Sequence, residues 1–536
     1  MIYLRWIPIL SVMLVLAAAC AGPTADRGQQ PSTLPEATIP VRPRPLITPI
    51  DRAAPTAAGV ADPRPRFHFT PPAGWINDPN GLVYLDGEYH LFYQHNPDAL
   101  VWGPMHWGHA VSRDLIHWEN LPIALAPDAL GAIFSGSAVI DQNDSAGFGA
   151  GAMVAIFTHA SDKSQAQSLA YSTDRGRTWW KYAGNPVLAP PPGQRDFRDP
   201  KVFWYGDAGS DGHWVMVLAV GHRIWFYRSP DLKAWTKIGE FGNAGAQGGV
   251  WETPDLLKLP IDGSSETAWV LAVSVQSGAP AGGSGVQYFV GDFDGSVFQS
   301  TSSADAVHSA DYGGDFYAAQ SWNNTPDGRA LWLAWMNNWS YADAIPADGG
   351  WRGSMTLPRE LALARDGMDL VLIQRPPAEL ARLRGTGRSW ANETISGAST
   401  LLADVRGATM EISATFRVDA STSATRFGLK VRVAGDETTT IGYNRQQSRL
   451  YLDRSHAGGQ VPGFGAPQVV ALRPRDDLIE LHILVDTASL EVFADGGRTM
   501  LTNQIFSSRA GGGLELFADD GAVVLERLAV VPLGTL

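Results

Sequence analysis

The sequence predicts an all-β protein, a five-bladed β-propeller followed by a C-terminal β-sandwich. Three observations carry this prediction. The 536 residues include 57 Gly and 36 Pro, which form turns, and 19 Trp, 14 Tyr and 20 Phe, which favour strands. Ser112-x-Asp114 before Trp118, Ser172-x-Asp174 before Trp179 and Ser229-x-Asp231 before Trp235 recur, with serines 60 and then 57 residues apart. A period near 58 suits a four-stranded blade with long loops, and the 292 residues from Phe67 to Pro358 hold about five periods. Beyond them, Met410, Ile412, Ala414, Phe416 and Val418 alternate with polar positions, as do Phe427 to Val433 and Ile479 to Val485. Such alternation means strands with one buried face, and Gly- and Asp-rich turns between them read as a sandwich.

Taken in order, residues 1–19 carry Arg5, an apolar run from Ile7 to Leu16 and then three alanines, the layout of a secretory signal peptide. The single cysteine, Cys20, follows directly, and L-A-A-A-C resembles a bacterial lipoprotein signal, although Ala17 stands where leucine is commoner. Lipidation of Cys20 is expected, with membrane attachment through that anchor; ordinary cleavage at the Ala-x-Ala site is the alternative. Residues 20–65, rich in Pro, Ala, Thr and Arg, read as an extended tether. The propeller is expected over 66–360, a connector over 361–388 and the sandwich over 389–536. With no further cysteine, disulfides cannot hold the body together. A hydrophobic content of 45% with only 18% charged residues excludes disorder for its bulk. Net charge is −13, from 41 Lys plus Arg against 54 Asp plus Glu, and such a surface repels phosphate backbones, so nucleic acid is not an expected partner.

Three short clusters carry chemistry. Asp78 lies in W-I-N-D-P-N-G, Asp199 in F-R-D-P and Glu252 in W-E-T-P, each beside a proline or one residue from it. Read singly, these are turn sequences. Asp78, Ser135, Asp199, Glu252 and Asp315 are separated by 57, 64, 53 and 63 residues, so they share nearly one phase of the repeat. Equivalent positions of successive blades surround the central axis, which places three carboxylates at one mouth. Crowded carboxylates raise one another's pKa, an arrangement suited to acid–base or nucleophilic work. Trp75, Trp102, Phe134 and Trp251 are expected to wall the site with aromatic faces that suit a sugar. His106-x-x-His109 has metal-like spacing but no third ligand, and no cofactor is expected.

These residues, with F-Y-Q-H-N-P at 92–97, W-G-P-M-H-W-G-H-A at 102–110, F-S-G-S-A at 134–138, D-Y-G-G-D-F-Y-A-A-Q-S-W at 311–322 and W-M-N-N-W at 335–339, resemble glycoside hydrolase family 32 along essentially the whole body. This family comprises the β-fructosidases, including invertases, inulinases and levanases. The resemblance implies the same two-domain fold and a retaining mechanism on fructan or sucrose. It implies Asp78 as nucleophile, Glu252 as acid/base and Asp199 as the residue that grips fructosyl hydroxyls, with Arg198 beside it. Asn77, Gln94, Trp102, Phe134, Ser135, Asp315 and Trp335 are implied to form the wall of the fructosyl subsite. Thr253 departs from the cysteine usual after the acid/base. Removal of single terminal fructosyl units is expected. Endo-cleavage, with the glycine-rich loop from Gly278 to Gly285 opening a cleft, fructosyl transfer, sucrose-only action and fructan binding without turnover are the alternatives. The sequence leaves the oligomeric state open.

Overall fold

The computed structural model describes residues 39–41, 64–206, 212–347, 349–459, 461–508 and 512–534. The expected signal segment, Cys20 and most of the tether lie outside them. Within 20–65, Ile39–Val41 pairs with Trp179–Lys181 at the edge of a sheet.

Five of the six sheets are propeller blades. Their innermost strands are Gly74–Leu85, Ala132–Asp141, Phe197–Tyr205, Trp251–Pro260 and Tyr317–Ser321, each followed outward by antiparallel neighbours. The ring closes on its first blade, where Trp351–Arg352 runs parallel to Gly74–Trp75. In the fifth blade the two outer strands are Arg359–Asp366 and Asp369–Arg375. The boundary expected at 360 therefore falls inside a strand, and most of the expected connector is the last hairpin of the propeller. That hairpin turns at Gly367-Met368 without the S-x-D signature, which is why the repeat did not extend over it.

The repeated S-x-D segments join the third and fourth strands of the first three blades. In each, the aspartate Oδ1 accepts backbone N–H groups two to four residues ahead, and the residue after it has positive φ (Leu115, Arg175, Leu232). The side chain replaces a backbone turn bond and holds the chain in the left-handed region. Asp294 makes the same turn in the fourth blade, with Gly295 next to it and no serine before it.

A second repeated device is shared by all five innermost strands. Each slips register against its neighbour near its start, at Ile76/Pro79, Ile133/Gly136, Arg198/Lys201, Glu252/Asp255 and Tyr317/Gln320, and the first strand slips again at Asn80/Val83. A bulge inserts a residue, bends the strand and re-aims its side chains. Asp199, Thr253 and Ala318, inside three of these bulges, have φ of 62°, 44° and 56°. Below the bulges the axis is filled. Lys201 donates to Asp255 at 3.2 Å and to the carbonyl and hydroxyl of Ser321 at 2.6 and 2.9 Å, joining three blades. Asn323 donates to the Ala138 and Val202 carbonyls.

The C-terminal sandwich has its own core, from Ile412 and Phe416 through Leu429, Ile441 and Leu481 to Leu516. Its layers share the 20-residue strand Gly513–Pro532, which pairs with Arg426–Ala434 over its first part and with Met410–Arg417 over its last. The strand Thr499–Gln504 lies against residues 311–315 of the propeller, through Tyr312 N–H to the Met500 carbonyl and Asp315 N–H to the Thr502 carbonyl. Fully buried Arg359 there donates to Asp311 at 3.1 Å and to Glu491. His68 bridges Asp486 and Glu491 at 2.8 Å each. Burial opposes its charge, but the two carboxylates prevail and lift its pKa to about 9.

Candidate active site

The bulge of the first blade presents Asp78. Its Oδ2 accepts from Ser135 Oγ of the second blade at 2.6 Å, and its Oδ1 from Asn77 Nδ2 at 3.0 Å. Asn77 is itself oriented by Trp75 Nε1 at 2.8 Å. Burial raises the Asp78 pKa to about 6. The Ser135 and Asn77 bonds oppose that rise, and the charge of Glu252 adds to it.

Asp199 is fixed from both neighbouring blades. Its N–H donates to Thr158 Oγ1 at 3.1 Å, and its Oδ2 accepts from Thr253 N–H at 2.9 Å. Burial pushes its carboxyl up to about 8; Arg198 opposes the shift, while Glu252 and Asp78 reinforce it. Asp199 thus receives a stronger upward push than Asp78.

Glu252 is more open than Asp199, with its side chain 15% accessible against 6%. Its Oε1 accepts from Arg198 Nη2 at 2.9 Å and Nε at 3.2 Å, and its Oε2 accepts from the hydroxyl of Tyr317. Arg198 is braced by Asp196 at 2.6 Å and Gln165 at 3.1 Å. Burial disfavours its charge, but the carboxylates outweigh that and hold its pKa above the usual value. Thr253, where the resemblance led one to expect cysteine, donates through Oγ1 to Ser274 Oγ at 2.7 Å, and Ser274 Oγ in turn receives the Ala318 N–H at 3.0 Å. Thr253 thus orients Ser274, whose hydroxyl ties the fourth blade to the fifth.

Around these carboxylates, Trp335 is buried among Trp75, Trp339 and Tyr317, with ring centroids 5.9, 4.8 and 6.3 Å away. Trp102, 47% exposed, stands edge-on to Phe134 at 5.8 Å. Gln94, on the second strand of the first blade, donates to Asn80 at 2.8 Å, two residues beyond Asp78. The loop between Val275 and Gly285 is tied to the fifth blade by Asn338, whose amide donates to the Gly282 and Ser284 carbonyls at 3.1 and 3.2 Å.

Two expected wall residues face elsewhere. Asp315 is fully buried, with its carboxylate accepting from Arg454, the Gln504 N–H and the Tyr341 hydroxyl, all at the junction with the sandwich. The bulge of the fifth blade comes after it, so its side chain is not turned toward the axis. Trp251, one residue from Glu252 on a strand, points to the opposite face, where it packs on Phe241 and Phe289. The residue that spacing missed is Tyr317, although it stands within the D-Y-G-G-D-F-Y-A-A-Q-S-W segment. His106 and His109 have separate partners, the Pro104 carbonyl and His90. Among the described residues no cluster of His, Cys, Asp and Glu can hold a metal ion.

The sequence profile of the glycosyl hydrolases family 32 N-terminal domain matches residues 68–376, and that of the family 32 C-terminal domain matches 379–532. The chain belongs to glycosyl hydrolases family 32. This family 32 chain is 50% identical over 483 residues to a levanase of Bacillus subtilis, covering 88% of its own length and 70% of the levanase. It is 38% identical over 488 residues to an extracellular exo-inulinase of Aspergillus awamori, covering 83% and 90% of the two chains. The crystal structure of exo-inulinase from Aspergillus awamori superposes with a TM-score of 0.82 at 35% identity, over 88% of this chain and 98% of that one. A fructofuranosidase from Schwanniomyces occidentalis complexed with fructose gives 0.81 at 32%, over 90% and 100%. The family 32 chain is accordingly a glycoside hydrolase with the five-bladed propeller and sandwich that its sequence predicts.

Proposed function

We propose that the enzyme releases terminal β-fructosyl units from levan or inulin, and from sucrose, by double displacement at Asp78 and Glu252. The observation that carries this reading is the set of three carboxylates on the inner-strand bulges of the first, third and fourth blades, above an axis where Lys201 joins Asp255 and Ser321. Asp78, held at both oxygens, attacks the anomeric carbon while Glu252 gives its proton to the leaving oxygen. Glu252 then takes a proton from the water that frees fructose, so configuration is retained. Asp199, whose Oδ2 is fixed by the Thr253 N–H, grips the fructosyl hydroxyls. Trp102 and Phe134 cover the sugar from the rim.

Exo action is supported by the filled axis, by the loop that Asn338 ties down and by relatives named exo-inulinases. The 50% identity to a levanase favours levan as polymer. Product analysis early in a levan digest tests the proposal: free fructose as the first product supports it, and a ladder of oligofructosides rejects it. Export is supported by the apolar leader and by relatives named extracellular, and we place the enzyme on a membrane through acylated Cys20, with residues 20–65 as the tether. Cys20→Ser should release it from the membrane fraction or block its maturation; a lipid-free wild-type protein rejects the anchor.

A further inference from the structure

The residues between the fourth and fifth blades take their position from the other domain. Tyr312 and Asp315 bond backbone to backbone with Met500 and Thr502 of the sandwich. A Cβ on Gly313 would come 2.1 Å from the Thr502 backbone nitrogen, so the two chains touch along this line. Two residues after Asp315 the chain reaches Tyr317, whose hydroxyl meets Glu252.

At this contact the sandwich contributes Arg454, 1% exposed, from its strand Arg449–His456. Its Nη1 donates to Asp315 Oδ2 and, at 2.8 Å, to the Gln504 carbonyl. Its Nη2 donates to the Tyr341 hydroxyl at 2.7 Å, which donates to Asp315 Oδ1 at 2.6 Å. Its Nε donates to the Phe464 carbonyl at 2.8 Å, and the guanidinium lies 3.7 Å from the Phe464 ring centroid. Four of the five guanidinium N–H donors are committed, two of them to Asp315 directly or through Tyr341, which holds the Asp315 carboxylate in place.

We propose that Arg454 is a positioning residue for catalysis: by clamping Asp315 it sets where the Tyr317 hydroxyl meets Glu252. A buried ion pair is a poor way to gain stability, since apolar groups of similar volume serve as well or better, whereas it fixes geometry closely. Displacing a group near the chemistry by about 1 Å costs about 100-fold in rate. The proposal rests on Glu252 as the acid/base.

The test is a double-mutant cycle of Arg454→Gln and Tyr317→Phe in the full chain, read as kcat, KM and the pH profile on sucrose. Arg454→Gln should lower kcat by about 10- to 100-fold with KM nearly unchanged. It should move the pH optimum in the same direction as Tyr317→Phe, and should add less than about 2-fold in the Tyr317→Phe background. Equal losses in both backgrounds, or a lowered unfolding temperature with kcat intact, overturn the proposal. Should Arg454→Gln not fold, Tyr341→Phe removes only the bridging hydroxyl and runs through the same cycle, with additive losses again overturning it. An active Glu252→Gln variant removes the acid/base assignment itself, whereas an inactive one with additive losses rejects the Arg454 role alone.

Discussion

With Asp78 as the proposed nucleophile, one hydrogen bond tunes the pH at which it is ready to attack. Its carboxyl ionises near pH 6 in the folded protein, so a reaction that needs its anion loses rate as pH falls through 6. Ser135 pulls that value down. Ser135→Ala should therefore shift the acidic limb of kcat/KM to higher pH, and an unmoved limb would show that another group controls it. The same shift has a stability sign opposite to that of a salt-bridged aspartate. Below the unfolded value of 3.8 both states are protonated and nothing is lost; as pH rises to 6 the unfolded state ionises first and the fold is weakened. Above 6 the penalty is complete, on the order of 3 kcal/mol. Asp78→Asn should abolish turnover and raise the unfolding temperature at pH 7 by about 1–4 °C, as calorimetry can check.

The bulges decide which side chains serve the site, and they explain what the sequence could and could not reveal. The spacing of 57, 64 and 53 residues located the first four blades at the axis because the repeat keeps its phase there. In the fifth blade the same arithmetic selected Asp315, a carboxylate, when the bulge starts at Tyr317. Where a strand slips register depends on its partner strand, and residue spacing carries no record of that. For the same reason Trp251 was expected beside the sugar: its neighbour Glu252 is there, and strand alternation sends the indole the other way. Gly136 tests the device directly. A Cβ there would lie 2.1 Å from the Ile156 carbonyl oxygen, a backbone atom with no side-chain freedom to yield. Gly136→Ala should displace Ser135, lower kcat and reduce stability by about 2 kcal/mol or more, measured by denaturant unfolding.

At the scale of the molecule, propeller and sandwich share a polar seam rather than a flexible linker. Arg359, Asp311, Glu491, His68 and Asp486 are all buried, and each is neutralised across the contact or beside it. Removing the sandwich takes Glu491 from Arg359 and Arg454 from Asp315, and exposes to water the apolar and backbone surface that the seam covers. A chain ending at residue 376 should be insoluble or lack cooperative unfolding. A soluble, active propeller alone would show that the seam is dispensable. Alternation in the sandwich was plain from sequence, but this seam was not, since the partners that meet across it lie more than a hundred residues apart and look like ordinary surface charges.

The filled axis gives the site a single doorway, and that fixes an order of traffic. In the proposed exo mode the fructosyl unit goes in deepest, so the shortened chain must back out before water can reach the bound sugar, and the sugar leaves last. A polymer cannot be threaded through such a site. Each cut therefore ends with the chain released, and successive cuts fall on whichever chain end arrives next. Free fructose, leaving by the doorway through which substrate enters, competes with every incoming end.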